Sequence, residues 1–431
     1  MGDQLPIKAR LVKADNQWGM KKTPYQSIDM IPTSKLIGKK ALEDPYKPFA
    51  WYKEMREKEP ICFNHQADMW NVFLYEDVKT VLEDKEHFSN IMPEKKKSPF
   101  PQSILGMDPP KHTQIRSIVN RSFTPKSLRE WEPRIQQITN DILNQLSNRK
   151  TFDIVRELFY PLPVIVIAEM LGVSAKDMGR FKKWSDIIVS SPSHDDPDYL
   201  ADFFHTRLQA ENELGDFFEE IIQLNREKSQ KDANDIISLL VQSEAEKSIS
   251  GKELVSFCKL LLVAGNETTT NLLGNALYCF IEYPNVYEQL QQDISLIPKA
   301  IEEVLRYRSP VQRITRRVKK EIQLKDQTLQ VDQIISAWVG SANRDSHQFT
   351  DGDSFNIYRG RNPHLTFGHG IHFCLGAPLA RLEAKIVLTE LIKRYKSFAF
   401  IDENLPTPIS NSSTIYGLSS FPVKSELLHI K

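Results

Sequence analysis

Phe367-Gly368-His369-Gly370-Ile371-His372-Phe373-Cys374-Leu375-Gly376-Ala377-Pro378-Leu379-Ala380-Arg381 is the stretch on which the reading of this 431-residue chain turns. A lone cysteine sits between glycines, so the backbone on either side can bend tightly. A helix is predicted to begin near Ala377-Pro378, since proline suits a first helical turn. Its positive N-terminal end would face the sulfur of Cys374, which predicts a lowered thiol pKa. The chain's four cysteines are Cys62, Cys258, Cys279 and Cys374, and they form neither Cys-x-x-Cys nor Cys-x-x-Cys-His. Zinc ribbons and covalently attached c-type haem therefore have no support. Cys62, Cys258 and Cys279 read as small buried hydrophobes.

Outward from this loop the chain is balanced. Apolar residues make up 40% and charged residues 26%, with 56 basic against 56 acidic side chains. That is a globular composition, and it gives no argument for a nucleic-acid partner. Length alone suits two or three ordinary domains or one large one. No apolar run approaches the roughly 20 residues of a spanning helix, so no membrane anchor is expected. Reduced thiols fit a cytoplasmic location. Residues 1–19 are polar and Met20 reads like a second start, so 1–19 are expected to be an extension or leader and 20–431 a single domain.

Helical patterns dominate, with apolar spacing of three and four over Glu132 to Ser147, Leu208 to Lys228, Asp235 to Glu246 and Gly251 to Glu282. Strands are expected at Trp70 to Tyr75, Ile322 to Val331 and Ile334 to Val339. The fold class is thus mainly α with small β sheets. Phe88 to Asp108, with Lys95-Lys96-Lys97, and Ser190 to Pro197 read as surface loops, either of which could gate a pocket.

The longest helical pattern holds Ala264-Gly265-Asn266-Glu267-Thr268-Thr269-Thr270, although glycine and consecutive threonines both cost helix stability. Asp108-Pro109-Pro110-Lys111-His112-Thr113-Gln114-Ile115-Arg116 places His112 and Arg116 four apart on one helical face. Glu303-Val304-Leu305-Arg306 sets a carboxylate and a guanidinium three apart. In this order and spacing the segments resemble the cytochrome P-450 superfamily, whose loop pattern is Phe-x-x-Gly-x-Arg/His-x-Cys-x-Gly. Its five fixed positions would arise by chance in roughly one in ten thousand chains of this length. The resemblance covers nearly all of Met20 to Lys431. It is closest to the soluble bacterial type, family 109 of bacilli.

The resemblance implies a triangular helical prism around haem b, ligated through the thiolate of Cys374. Phe367, Gly370 and Gly376 would shape and shield the loop, and His112, Arg116, Arg316 and His372 would bind the haem propionates. Ala264 and Gly265 would leave room for dioxygen, with Glu267 and Thr268 as the acid and alcohol that supply protons. Glu303, Arg306 and Arg359 would brace the thiolate side. Ile91, Met92, Leu261, Val263, Ala264, Val311, Ile314 and Leu418 are the expected pocket residues for an apolar substrate.

A monomeric monooxygenase acting on fatty acids, terpenoids or steroids follows from the resemblance. No flavin or ferredoxin domain follows the Cys loop, so electrons are expected from a separate ferredoxin or flavodoxin with an NAD(P)H-dependent reductase. Arg116, Arg121, Lys126 and Lys385 are the expected docking charges. A peroxide-driven peroxygenase and a non-catalytic haem sensor are the alternatives. Glu267-Thr268 weighs against both.

Overall fold

The computed structural model describes residues 33–428, apart from 39–40, 42, 45, 94–101, 175, 190–195, 228–235, 246–248 and 410–411. The readings of residues 1–19, of Lys95-Lys96-Lys97 and of most of Ser190 to Pro197 lie outside the described residues.

Helices of two turns or more run, in chain order, as α1 (Phe49–Lys58), α2 (Tyr75–Glu83), α3 (Lys111–Val119), α4 (Pro125–Leu146), α5 (Pro161–Met170), α6 (Met178–Val189), α7 (Pro197–Glu227), α8 (Ile236–Ala245), α9 (Gly251–Glu282), α10 (Pro284–Gln292), α11 (Ile297–Tyr307) and α12 (Ala377–Arg394). The strands are β1 (Ile61–Asn64), β2 (Met69–Val72), β3 (Phe88–Ser89), β4 (Thr151–Asp153), β5 (Ile314–Val318), β6 (Ile322–Leu324), β7 (Gln327–Leu329), β8 (Ile334–Ala337), β9 (Tyr395–Phe400), β10 (Thr407–Pro408), β11 (Leu418–Ser420) and β12 (Pro422–Leu427). The mainly α class with small sheets holds.

α9 spans the expected Gly251 to Glu282 because its start is written locally: Ser250 and Glu253 form a reciprocal capping box. α4 begins well before the expected Glu132. The Thr124 hydroxyl caps it by accepting the Ser127 N–H, Pro125 fits its first turn, and Pro133 is absorbed inside it. The expected Trp70 to Tyr75 strand is cut at Val72, since Tyr75 opens α2 with Glu76 and Asp77 in its first turn. Ile322 to Val331 is not one strand but the pair β6 and β7, turned at Lys325 with φ of 51°.

The largest sheet has the order β1-β2-β8-β5-β3, with β2 and β8 parallel and the other neighbours antiparallel. A three-stranded sheet, β4-β12-β9, closes against the helices. α9 runs through the main core, buried on all sides from Thr269 to Leu277, and packs on α5, α7 and α12. α12 in turn packs on α4, α9 and α11. The Cys loop and the Thr-rich part of α9 thereby come to face one space.

Candidate functional site

The loop before α12 is shaped by glycine where the chain demands it. Gly370 has φ of +69°, and a Cβ there would sit 2.9 Å from the Glu83 Cα. No other residue fits that approach to α2. The Cys374 N–H donates to the Phe367 carbonyl at 2.8 Å, closing the loop on itself. Gly376 has open space where its side chain would be, and α12 starts directly after it with Pro378 in the first turn.

The expected lowering of the Cys374 thiol is corrected by the structure. Burial pushes it up, and the backbone N–H groups of Gly376 and Ala377, with the charges of Arg116 and Arg381, offset only part of that rise. Desolvation outweighs the helix end. A cation bonded to the sulfur would reverse the balance.

Cys374 lines a cavity of about 540 Å³ together with Ala264, Gly265, Thr268 and Thr269 of α9. Of the expected substrate residues, Met92, Leu261, Val263, Val311 and Ile314 line it. Ile91 does not, being 46% exposed, and Leu418 is buried in β11 away from the lining. Apolar periodicity shows that a residue seeks cover, not which space it covers. Phe257, Leu260, Ile104, Leu105 and Ile167 are lining residues that were not anticipated. Asn90, Met92, Ile104 and Leu105 form part of the wall, and Asp108 ties down the strand before them by accepting from the Ser89 hydroxyl and the Asn90 N–H.

α9 keeps its helical course through the Thr-rich segment, and the Thr268 hydroxyl donates to the Ala264 carbonyl at 2.7 Å. Glu267 lies off the lining. Its apolar surroundings push the carboxyl up to about 7, against the pull of the Arg207 charge. A carboxyl so placed exchanges protons near neutral pH.

One end of the site is cationic. His112 and His372 have ring centroids 4.1 Å apart, and Arg116 and Arg316 line the cavity beside His372. Burial, then Arg316, His112 and Arg116, hold His372 down to about 3. Burial also lowers Arg316 to about 10, with Asp108 opposing. Both ring nitrogens of His112 are buried without a partner. Such a cluster calls for added carboxylates. Haem b brings two propionates and an iron that accepts a thiolate, so the residues present fit it.

Glu303 and Arg306 form a bidentate pair at 2.9 and 2.7 Å, as their spacing anticipated, and Arg359 joins Glu303 at 3.2 Å. Arg116 is less available for docking than expected, because it donates to the Phe373 carbonyl and to Asn120. Arg121, Lys126 and Lys385 are exposed. The sequence reading missed Glu383, a cavity-lining carboxyl 2% exposed. Burial pushes it up to about 8, with the Thr269 hydroxyl opposing. A charge on the apolar face of α12, between Leu379 and Ile386, was the available signal. Arg313, whose guanidinium reaches the hydroxyls of Ser413, Thr315 and Ser336, also lines the cavity unforeseen.

The family profile named Cytochrome P450 matches residues 36–425. Cytochrome P450 109 of Bacillus spizizenii is 38% identical over 415 residues, covering 95% of this chain and 98% of the relative. The crystal structure of the versatile cytochrome P450 enzyme CYP109B1 from Bacillus subtilis is 48% identical, with a TM-score of 0.81 over 88% of this chain and 100% of that one. That of CYP109E1 from Bacillus megaterium, in complex with testosterone, is 43% identical, with a TM-score of 0.82 over 89% and 99%. On profile, identity and fold together, the chain belongs to the cytochrome P450 family of haem-thiolate monooxygenases.

Proposed function

We propose that this chain hydroxylates apolar substrates such as steroids, terpenoids or fatty acids, with two electrons from a separate ferredoxin or flavodoxin and its NAD(P)H-dependent reductase. The observation that carries the proposal is that Cys374, Thr268 and an apolar lining share one cavity. Cys374 would ligate haem through its sulfur, and His112, Arg116, Arg316 and His372 would hold the propionates. Bound there, haem supplies dioxygen activation at its iron.

The protein's own groups handle water, protons and substrate. The Thr268 hydroxyl, anchored on the Ala264 carbonyl, keeps its oxygen at the cavity wall as a proton relay. Glu267, poised near pH 7, replenishes that relay from the side away from the cavity. Leu261, Val263, Val311, Ile314 and Phe257 exclude water and hold substrate by burial of apolar surface. Binding of that kind is weakly directional, so several products from one substrate are expected.

Relatives support this substrate class. Structures of CYP109E1 contain testosterone and corticosterone, and a relative of 37% identity is named Erythromycin C-12 hydroxylase. For the electron donor, Arg121, Lys126 and Lys385 offer exposed positive charge, although Lys385 lies 4.0 Å from Glu132. Among the described residues no helix is long and apolar enough to cross a membrane. A monomer in the cytoplasm is part of the proposal.

The test is a carbon monoxide difference spectrum of the reduced protein, followed by a steroid and fatty-acid screen for spin-state shifts. A Soret band far to the red of that given by His-ligated iron is expected, and it should vanish in Cys374→Ala. Retention of that band in the variant would overturn the assignment. Turnover with peroxide as fast as with a reductase system would favour the peroxygenase instead.

A further inference from the structure

Glu302, on α11 next to the bracing Glu303, has a part of its own. It accepts two hydrogen bonds from Arg381, at 2.6 Å from Nε and 2.9 Å from Nη2. The His364 Nε2 meets the same carboxylate at 3.0 Å. Arg381 lies over the Phe367 ring, 4.5 Å from its centroid, and the His364 ring stands 5.9 Å from that same centroid. One carboxylate therefore fixes two nitrogenous side chains against the ring of Phe367, the residue whose backbone carbonyl accepts from the Cys374 N–H.

We infer that Glu302 is a positioning residue: it locks Arg381 against Phe367 so that a fixed positive charge beneath the Cys loop sets the redox poise of the haem iron. The inference rests on Cys374 being the axial ligand. Hydrogen bonds and charges around a thiolate tune an iron site's potential, and a bidentate carboxylate pair holds a guanidinium in one geometry where a free arginine would average over many. The two hydrogen-bonded side chains hold Glu302 down to about 2 against its burial, so the clamp stays charged across the working pH range.

The plainer account is an ion pair that ties α11 to α12 and does nothing else. That account predicts an unchanged potential when the guanidinium is removed. A nearby cation favours the state with one more electron, so Arg381→Met should lower the reduction potential. Arg381 and Glu302 keep 35% and 32% of their side-chain surface exposed, so the charge is partly screened. The expected change is about tenfold in the ratio of reduced to oxidised iron, or about 59 mV for one electron. Glu302→Gln separates the readings. Loss of a negative charge alone would raise the potential, whereas release of Arg381 from the ring lowers it.

The experiment is a spectroelectrochemical titration of the substrate-free holoenzyme for wild type, Arg381→Met, Arg381→Lys and Glu302→Gln, each first checked for the thiolate carbon monoxide band. Arg381→Met and Glu302→Gln should both fall below wild type, with Arg381→Lys in between because it keeps the charge and loses the fork. An unchanged potential in Arg381→Met, or a rise in Glu302→Gln, overturns the inference even where the band is intact. Absence of the band from wild type would instead strike at the ligand assignment.

Discussion

Replacing Arg306 with methionine should remove a third or more of the fold's stability. The Arg306 side chain is 0% exposed and that of Glu303 1%, so water cannot stand in for what is lost. Arg306 donates to both oxygens of Glu303 and to the carbonyls of Asn343, Gly352 and Ser354 at 2.6 to 2.9 Å. Breaking a buried ion pair costs about 3–5 kcal/mol. Glu303 would keep Arg359, Asn362 and the Asn356 N–H, which argues for the lower end of that range. The Asn343 and Gly352 carbonyls lose this donor, at about 1–3 kcal/mol each where nothing replaces it. A loss of about 5 kcal/mol is expected, against a total stability of about 5–15 kcal/mol for a folded domain. Arg359→Met, which leaves the central pair intact, should cost about 1–2 kcal/mol. Urea unfolding followed by circular dichroism, with haem content measured in parallel, gives both values. A loss under about 2 kcal/mol in Arg306→Met, or equal losses in the two variants, would refute the reasoning.

Four further outcomes follow from the site. Because burial raises the Glu267 carboxyl to about 7, proton supply from it falls as pH rises through that value; turnover should decline there, and Glu267→Gln should flatten the profile at a lower rate with less product per NAD(P)H consumed. The same shift means that the folded state binds the extra proton between the ordinary 4.5 and about 7, so this group's contribution to stability is present below that window and is lost as pH rises across it, which acid-range unfolding curves of wild type and Glu267→Gln compare. Gly370→Ala forces a Cβ to 2.9 Å from the Glu83 Cα at a φ of +69°, and should cost about 1–3 kcal/mol in thermal melting while speeding haem loss. Arg316→Leu, removing a cavity-lining charge, should accelerate haem transfer to apomyoglobin by about tenfold or more with the carbon monoxide band unchanged.

The parts of this molecule that were legible in its sequence are those decided locally. Ser250 with Glu253 fixes the start of α9, and Pro378 fixes that of α12, without help from the rest of the chain. The Cys loop was legible from its residue pattern, whereas the approach of Glu83 that makes Gly370 necessary is a tertiary contact with α2. What escaped notice is set by tertiary neighbours. α5 is apolar nearly all round, so periodicity does not mark it as an amphipathic helix. Leu418 and Ile91 were both plausible pocket residues until the sheet took one and solvent the other. Glu302 looks like an ordinary surface carboxylate in sequence, and Glu383 differs only by standing on an apolar helix face; the packing of α12 on α9 and α11 turns the first into a clamp and the second into a buried acid.

The electrostatics of the site make sense only as half of a larger object. Taken alone, the cavity holds its thiol above the ordinary pKa of cysteine. It also holds His372 far below the ordinary value for histidine, and it crowds Arg116 and Arg316 onto the same wall. The two ends call for partners of opposite sign: an electrophilic cation at Cys374 and anions at the histidine and arginine end. A single rigid group that is cationic at its centre and carboxylated at one edge answers both at once. That is why the Cys loop and the His112 to Arg116 segment, far apart in the chain, are built around one space. It also gives an order of events: removing the edge charges should loosen the group while leaving its ligand field intact, whereas removing Cys374 should change the ligand field itself.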